Sequence, residues 1–349
     1  MVGPDGLLPL PWIEPVLRRT LQSQRAHALL LHGPQGIGQF ELALTIAQAW
    51  LCEAADASAR PCGVCASCRL VQAHSHPDLL VLLPEALQEP LGWAAADGDD
   101  AGSDRAGKAK QPSKEIKVEA VRAAVNFAQT TSARGRAKIV VLHPAERMNG
   151  VAANTLLKTL EEPPGTARFV LSCAAPDALL PTIRSRCQSV ALALPPTEQA
   201  SAWLAGQGVA EPAVLLAATG GQPQEALAWA RQGIAAAAWL RLPALVAQGS
   251  ATGFATWPLA RVVDALQKLC HDAACIAAGA TPRYFPAGSL RAGADPAALH
   301  AWMRELNRVA RHAEHPWNAG LMVESLVQQG QRALAIGAAP RNTSVHSGA

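Results

Sequence analysis

A short apolar run from His27 to Leu31 leads into Gly33-Pro34-Gln35-Gly36-Ile37-Gly38, and a helical pattern follows from Phe40 to Leu51. This strand, glycine loop and helix constrain the chain more than any other feature. A strand that hands over to a helix cannot return as a tight hairpin, so its neighbour in the sheet is reached by a crossover. Further short apolar runs at Leu79 to Leu83, Ile139 to Leu142 and Phe169 to Leu171 are separated by helical segments. Alternation of this kind predicts an α/β fold with a mainly parallel sheet covered by helices.

The chain has 349 residues, more than one ordinary domain of about 100–150 residues holds, so two or three domains are expected. Half of it is apolar and only 16% is charged, which supplies packed cores and excludes a largely disordered protein. A formal charge of +3 is too small for a bulk electrostatic grip on DNA or an anionic membrane. No run approaches the roughly 18–20 apolar residues that span a bilayer, and the N-terminus lacks an export pattern. A cytoplasmic location is therefore expected, in which clustered cysteines are metal ligands or reduced thiols.

The first domain is expected over residues 1–196. Within it, residues 85–113 are rich in Gly, Ala, Asp and Lys and read as a flexible insertion. Its basic end, Arg105 to Lys117, reads as a solvated loop, with a DNA contact as the alternative. Strand signals stop after Leu194-Pro195-Pro196. Helical stretches then suggest a small unit at 197–232, a longer helical domain at 233–337 and a disordered tail at 338–349.

Cys52, Cys62, Cys65 and Cys68 form C-x9-C-x2-C-x2-C within a module at about residues 52–68. Two-residue gaps aim successive sulfurs at one point, and four thiolates suit a closed, structural zinc site. His74 or His76 in place of Cys52 is the alternative fourth ligand. An iron–sulfur cluster fits less well, because no Cys-Pro follows Cys68.

The glycine loop matches the phosphate-binding frame GxxxxGK[ST] as far as Gly38 and then departs from it. Gln39 stands where the phosphate lysine belongs, and Phe40 where the magnesium-binding hydroxyl belongs. The strand Ile139–Leu142 ends in His143-Pro144, where a working ATPase carries an acidic pair. Glu146 lies two residues beyond the second of those positions and reads as a surface carboxylate at a helix start. No bound nucleotide is expected at Gly33, Gly36, Gly38, Gln39 and Phe40.

Asn154-Thr155-Leu156-Leu157-Lys158-Thr159-Leu160-Glu161-Glu162-Pro163-Pro164, followed by Thr182-Ile183-Arg184-Ser185-Arg186-Cys187, closely resembles the clamp-loader branch of the AAA+ family. The likeness runs from Pro11-Trp12 through the cysteine module and His76-Pro77-Asp78 to about Pro196, and more faintly beyond. It implies an AAA+ α/β domain with an inserted zinc module, a small helical lid and an all-α collar domain. Active members of the family place a lid arginine where this chain has Gly221-Gln222-Pro223-Gln224.

Ser185-Arg186-Cys187 survives, although the phosphate lysine, acidic pair and lid arginine do not. By resemblance, Arg186 reaches across an interface to the γ-phosphate of ATP held by a neighbour, in the motif completed by Ser185 and Cys187. The resemblance also implies no intrinsic ATPase, and a place in a replicative DNA polymerase III assembly. The implied partners are gamma or tau and delta subunits in a hetero-pentamer, with the sliding clamp and primed DNA engaged by the assembly. The rival readings are an active ATPase of the gamma/tau type and a zinc-dependent nucleic-acid-binding protein. The second lacks a basic and aromatic stripe beside the cysteines.

Overall fold

The computed structural model describes residues 1–22, 26–93, 112–312 and 317–335. The middle of the insertion and the residues of the expected tail lie outside these. The chain divides into two compact units, Met1–Gln199 and Ala200–Ala349.

In the first unit, a five-stranded parallel sheet has the order β2-β3-β4-β1-β5. The strands are β1 (Ala28–His32), β2 (Leu79–Leu82), β3 (Ile139–Leu142), β4 (Arg168–Cys173) and β5 (Gln188–Ala191). The helices are α1 (Glu14–Gln22), α2 (Gln39–Leu51), α3 (Ala66–Gln72), α4 (Glu85–Gln88), α5 (Val118–Gln129), α6 (Gly150–Glu161) and α7 (Pro181–Arg184). The first residues of the expected insertion thus form α4. Glu85 closes the base of that insertion by accepting from the Ser113 amide at 2.9 Å and pairing with Lys117.

The period of two along each strand sorts the core onto two faces. Leu30, Val140, Leu142, Phe169 and Leu171 pack with Ala124, Leu156 and Leu160 of α5 and α6. Leu29, Leu31, Val141 and Val170 are fully buried on the opposite face, where α2 packs against β1, β3 and β4. With both faces covered, the central strands read as continuous apolar runs, which is why they are visible in the sequence. β5 is different: Gln188-Ser189-Val190-Ala191 is an edge strand, mostly exposed and half polar, and no apolar run announces it.

Asp78, fully buried before β2, pins the turn that precedes β3. It accepts from Ser132 Oγ at 2.9 Å and from the amides of Ala133 and Arg134 at 2.8 and 2.9 Å, and pairs with Lys138 Nζ at 3.0 Å. Burial alone would raise its pKa, but these donors outweigh burial and hold it below the usual carboxylate value.

The second unit is all-helical among the described residues: α8 (Thr197–Gly206), which spans the boundary, α9 (Pro212–Ala218), α10 (Pro223–Arg231), α11 (Ala236–Ala247), α12 (Leu259–Ala277), α13 (Pro296–Arg311) and α14 (Ala319–Leu334). It holds two apolar clusters. One gathers Ala200, Leu204, Leu215, Leu216 and Ala226 around α8 to α10. The larger is built on Trp229, Trp239, Trp302, Leu266 and Leu326. Parallel sheet followed by helices is the fold class expected from the sequence.

Asp78→Ala leaves Lys138 buried without its carboxylate and should cost about 3–5 kcal/mol in urea unfolding of the first unit. Because the folded pKa of Asp78 lies below the unfolded one, its contribution is complete above about pH 4. It is lost as the pH falls through the folded value. A midpoint unchanged by the substitution would contradict this account.

A glycine loop without its lysine, a four-cysteine cluster and an arginine on the far edge

The glycine loop follows β1, which lies between β4 and β5 and pairs with both. Gly36 and Gly38 have φ of 73° and 103°, a region that favours glycine. A Cβ on Gly33 would meet the Leu192 carbonyl oxygen at 2.1 Å, and one on Gly38 would meet Leu10 Cδ1 at 2.2 Å. Trp12 donates its indole N–H to the Ile37 carbonyl at 2.7 Å, so the segment before α1 is fastened over the loop. Nothing in the sequence pattern of Leu10 and Trp12 points to this role.

The replaced residues have their own structural work. The Gln39 amide donates to the carbonyls of Gly33 and Pro34 at 2.6 and 2.5 Å, inside the loop itself. Phe40 stacks on His143, with ring centroids 4.8 Å apart and planes at 24°. The positions of the magnesium hydroxyl and of the first acidic residue are thus adjacent in space, and an aromatic pair fills them. Burial pushes the His143 pKa down to about 4. The ring is therefore neutral at physiological pH and bonds Ser172 Oγ at 2.9 Å.

Glu146 corrects the sequence reading. It is half-buried, and its Oε1 accepts from the Ala174 amide at 2.9 Å, tying the segment after β3 to the end of β4. Its other oxygen is buried without a hydrogen bond. The signal missed was distance: the partner lies 28 residues away.

Arg186 stands two residues before β5, whereas Gly33 packs against Leu192, just beyond its last residue. At about 3.3 Å per residue, the strand alone separates these two edges by roughly 13 Å. The Arg186 guanidinium points into a cradle at the end of α6. Nη1 donates to the Thr182 carbonyl at 3.0 Å, Nη2 pairs with Glu161 at 3.2 Å, and Nε is buried without a partner. Ser185 Oγ donates to Thr182 O at 3.2 Å. Burial raises the Cys187 thiol to about 12, so that sulfur is a packing group and not a nucleophile. The lid position opens α10 with Pro223 at its first turn.

Cys52, at the end of α2, meets Cys62, Cys65 and Cys68 with all four sulfurs within 4.8 Å of one another. The Cys52 and Cys65 sulfurs lie 3.9 Å apart, close to the roughly 3.8 Å that a tetrahedron of 2.3 Å metal–sulfur bonds requires. Backbone amides of Ala54, Cys62, Cys65 and Cys68 point at these sulfurs from 3.4 to 3.5 Å, as thiolate ligands need. Against the upward push of burial, amide donors and neighbouring thiols bring Cys62 down to about 6. His76 is engaged by Ser67 and the Asp78 amide, and His74 stacks on Trp93 at 3.9 Å. Cys52 and not a histidine completes the group. These residues can hold a metal ion.

Sheet, glycine loop and helical remainder define the class, a phosphate-loop α/β protein of AAA+ type whose loop has lost its lysine and hydroxyl. The family model described as "DNA polymerase III, delta subunit" matches residues 12–196, and the chain belongs to that family. It is 40% identical over 217 residues to DNA polymerase III subunit delta′ of Pseudomonas aeruginosa, covering 61% of this chain and 58% of that one. The corresponding Escherichia coli K12 protein is 34% identical over 225 residues, with 62% and 60% covered. A tau subunit from Salmonella typhimurium is 32% identical over 161 residues, with 46% and 21% covered. The chain thus spans about three fifths of the length of the delta′ relatives it matches.

About one metal ion per chain should be found by elemental analysis of the purified protein. Cys65→Ser should reduce it, whereas Cys173→Ser, on buried β4, should not. Equal metal content in wild type and Cys65→Ser would reject the four-cysteine site.

Proposed function

We propose that the chain acts as a delta′-type subunit of a DNA polymerase III clamp loader. It does not hydrolyse ATP and presents Arg186 to the ATP site of a neighbouring subunit. The observation that carries this reading is the opposite-edge arrangement: a loop filled by its own Gln39 and Phe40, and Arg186 beyond reach of that loop. An arginine so placed serves another subunit's nucleotide or none.

In this reading the Glu161 pair is a resting cradle. A γ-phosphate offers the guanidinium fork a stronger, bidentate partner than one exposed carboxylate does. The cysteine site holds structural zinc, closed by four thiolates. Residues 197–232 form the lid and 233–337 the collar domain, which assembles with gamma or tau and delta subunits in the cytoplasm. The assembled loader places the sliding clamp on primed DNA.

The glycine loop of the isolated chain should not hold ATP, so any binding of a fluorescent ATP analogue should be no tighter with magnesium than without it. The phosphate lysine and both kinds of magnesium ligand are absent. Magnesium-dependent turnover by a clean preparation would restore the active-ATPase reading.

Arg186→Ala should leave metal content and assembly intact and cost about 1 kcal/mol or less of stability. In a reconstituted loader it should lower ATPase stimulated by clamp and primed DNA. An arginine finger supplies about 10³ to 10⁵ in rate at one site, so with several sites the loss is partial. Arg186→Lys should rescue little, since an ammonium lacks the planar fork. An intact assembly with unchanged stimulated rates would leave the subunit purely structural.

A further inference from the structure

A cleft of about 760 Å³ opens in the first unit, away from the glycine loop, with Trp50, Arg60, Arg134, Arg136 and Arg168 among its walls. Four separate segments supply these side chains. Arg168 is the first residue of β4, Arg134 and Arg136 sit on the turn before β3, Arg60 belongs to the cysteine module, and Trp50 lies in the last turn of α2. These strand starts lie at the edge opposite Gly33–Phe40.

Among the described residues, no Asp or Glu lines the cleft. Arg134 is the guanidinium most clearly committed elsewhere, to Glu53 at 2.5 Å and Ser67 Oγ at 3.1 Å. Arg60 donates Nε to the Ala54 carbonyl at 2.8 Å, which orients the group. Asp56, in the same loop, is turned to Ser58. Arg136 is half-buried and, among the described residues, forms no ion pair. Arg168 lies over the Trp50 ring with Cζ 4.8 Å from its centroid, which fixes both groups in the wall. Asp78 holds the turn that carries Arg134 and Arg136 by accepting two of its amides.

Four guanidinia converging on one concavity repel one another, and a cleft of one sign concentrates the field that draws an anion in. Guanidinium forks match phosphate oxygens in pairs. The volume falls within the range of small-ligand sites, about 300–1,000 Å³. We propose that this cleft binds a phosphate-bearing ligand, with Arg60, Arg136 and Arg168 as its anion contacts and Trp50 as an aromatic wall. The phosphate comes either from a free nucleotide or from a nucleic-acid strand.

The test uses the whole chain. Calorimetry with ADP and with inorganic pyrophosphate, and anisotropy with a fluorescent dT12, are run on wild type, Arg136→Ala and Arg136→Glu at moderate and high salt. Saturable binding by at least one probe is expected, weakened about tenfold by Arg136→Ala and further by Arg136→Glu. Tightening by ADP and pyrophosphate alone identifies a small phosphate ligand, and binding of dT12 alone identifies a strand. Because Arg136 lies on the edge away from the glycine loop, its effect separates the cleft from that loop. Metal content and thermal unfolding of the variants verify their fold, and Arg60→Ala serves as a second variant from another segment. No binding by any probe, or binding that neither variant weakens, would overturn the proposal.

Discussion

The parallel pairing of β1 with β5 is the constraint from which the rest follows. It sets Leu29 to His32 against Gln188 to Ala191 in register, and the next residues meet where Gly33 packs on the Leu192 carbonyl. Every strand runs the same way, so the glycine loop sits at one edge of the sheet and Arg186 at the other. Loss of the loop's chemistry and retention of the arginine are therefore separable. One can be abandoned without moving the other.

The replaced positions around the glycine loop are filled by the chain's own side chains. A polar loop without its lysine would expose unpaired carbonyls, and the Gln39 amide meets two of them. A missing magnesium would leave a void between the start of α2 and the end of β3, and the Phe40–His143 stack fills it. Such pairs contribute about 0.5–1.5 kcal/mol beyond their burial. The domain thus keeps the stability of a packed sheet with the lysine and hydroxyl positions of the loop taken by Gln39 and Phe40. At the opposite edge, Asp78 takes up that organising role by fastening the turn before β3.

Four of the five strands were legible: β1, β3 and β4 because burial on both faces makes them largely apolar, and β2, a half-buried edge strand, because Leu79-Leu80-Val81-Leu82 is itself an apolar run. β5 was not, since an edge strand with Gln188 and Ser189 carries no such signal. The cysteine spacing announced all four members of the cluster, with a histidine in place of Cys52 as the alternative, and the structure brings the four sulfurs together. Gln39 and Phe40 could be recognised as departures, but what each now touches could not, because stacking on His143 joins residues a hundred positions apart. Glu146 was misread for the same reason. The Asp78 network, with partners 54 to 60 residues away, and the arginine cleft, assembled from five segments, belong to the fold and have no local pattern. A net charge of only +3 concealed the cleft, since its basic residues are balanced by acids elsewhere.

The central claim is that this chain touches ATP through Arg186 on a neighbour's nucleotide and not through its own loop. The most direct measurement is photo-crosslinking with an ATP analogue reactive at the γ-phosphate, followed by peptide mapping of this chain alone and within the assembled loader. The account predicts no labelling of the Gly33 to Phe40 segment in the isolated chain, and labelling of the segment around Thr182 to Cys187 in the assembly. Labelling of the Gly33 to Phe40 segment, in either state, would contradict it.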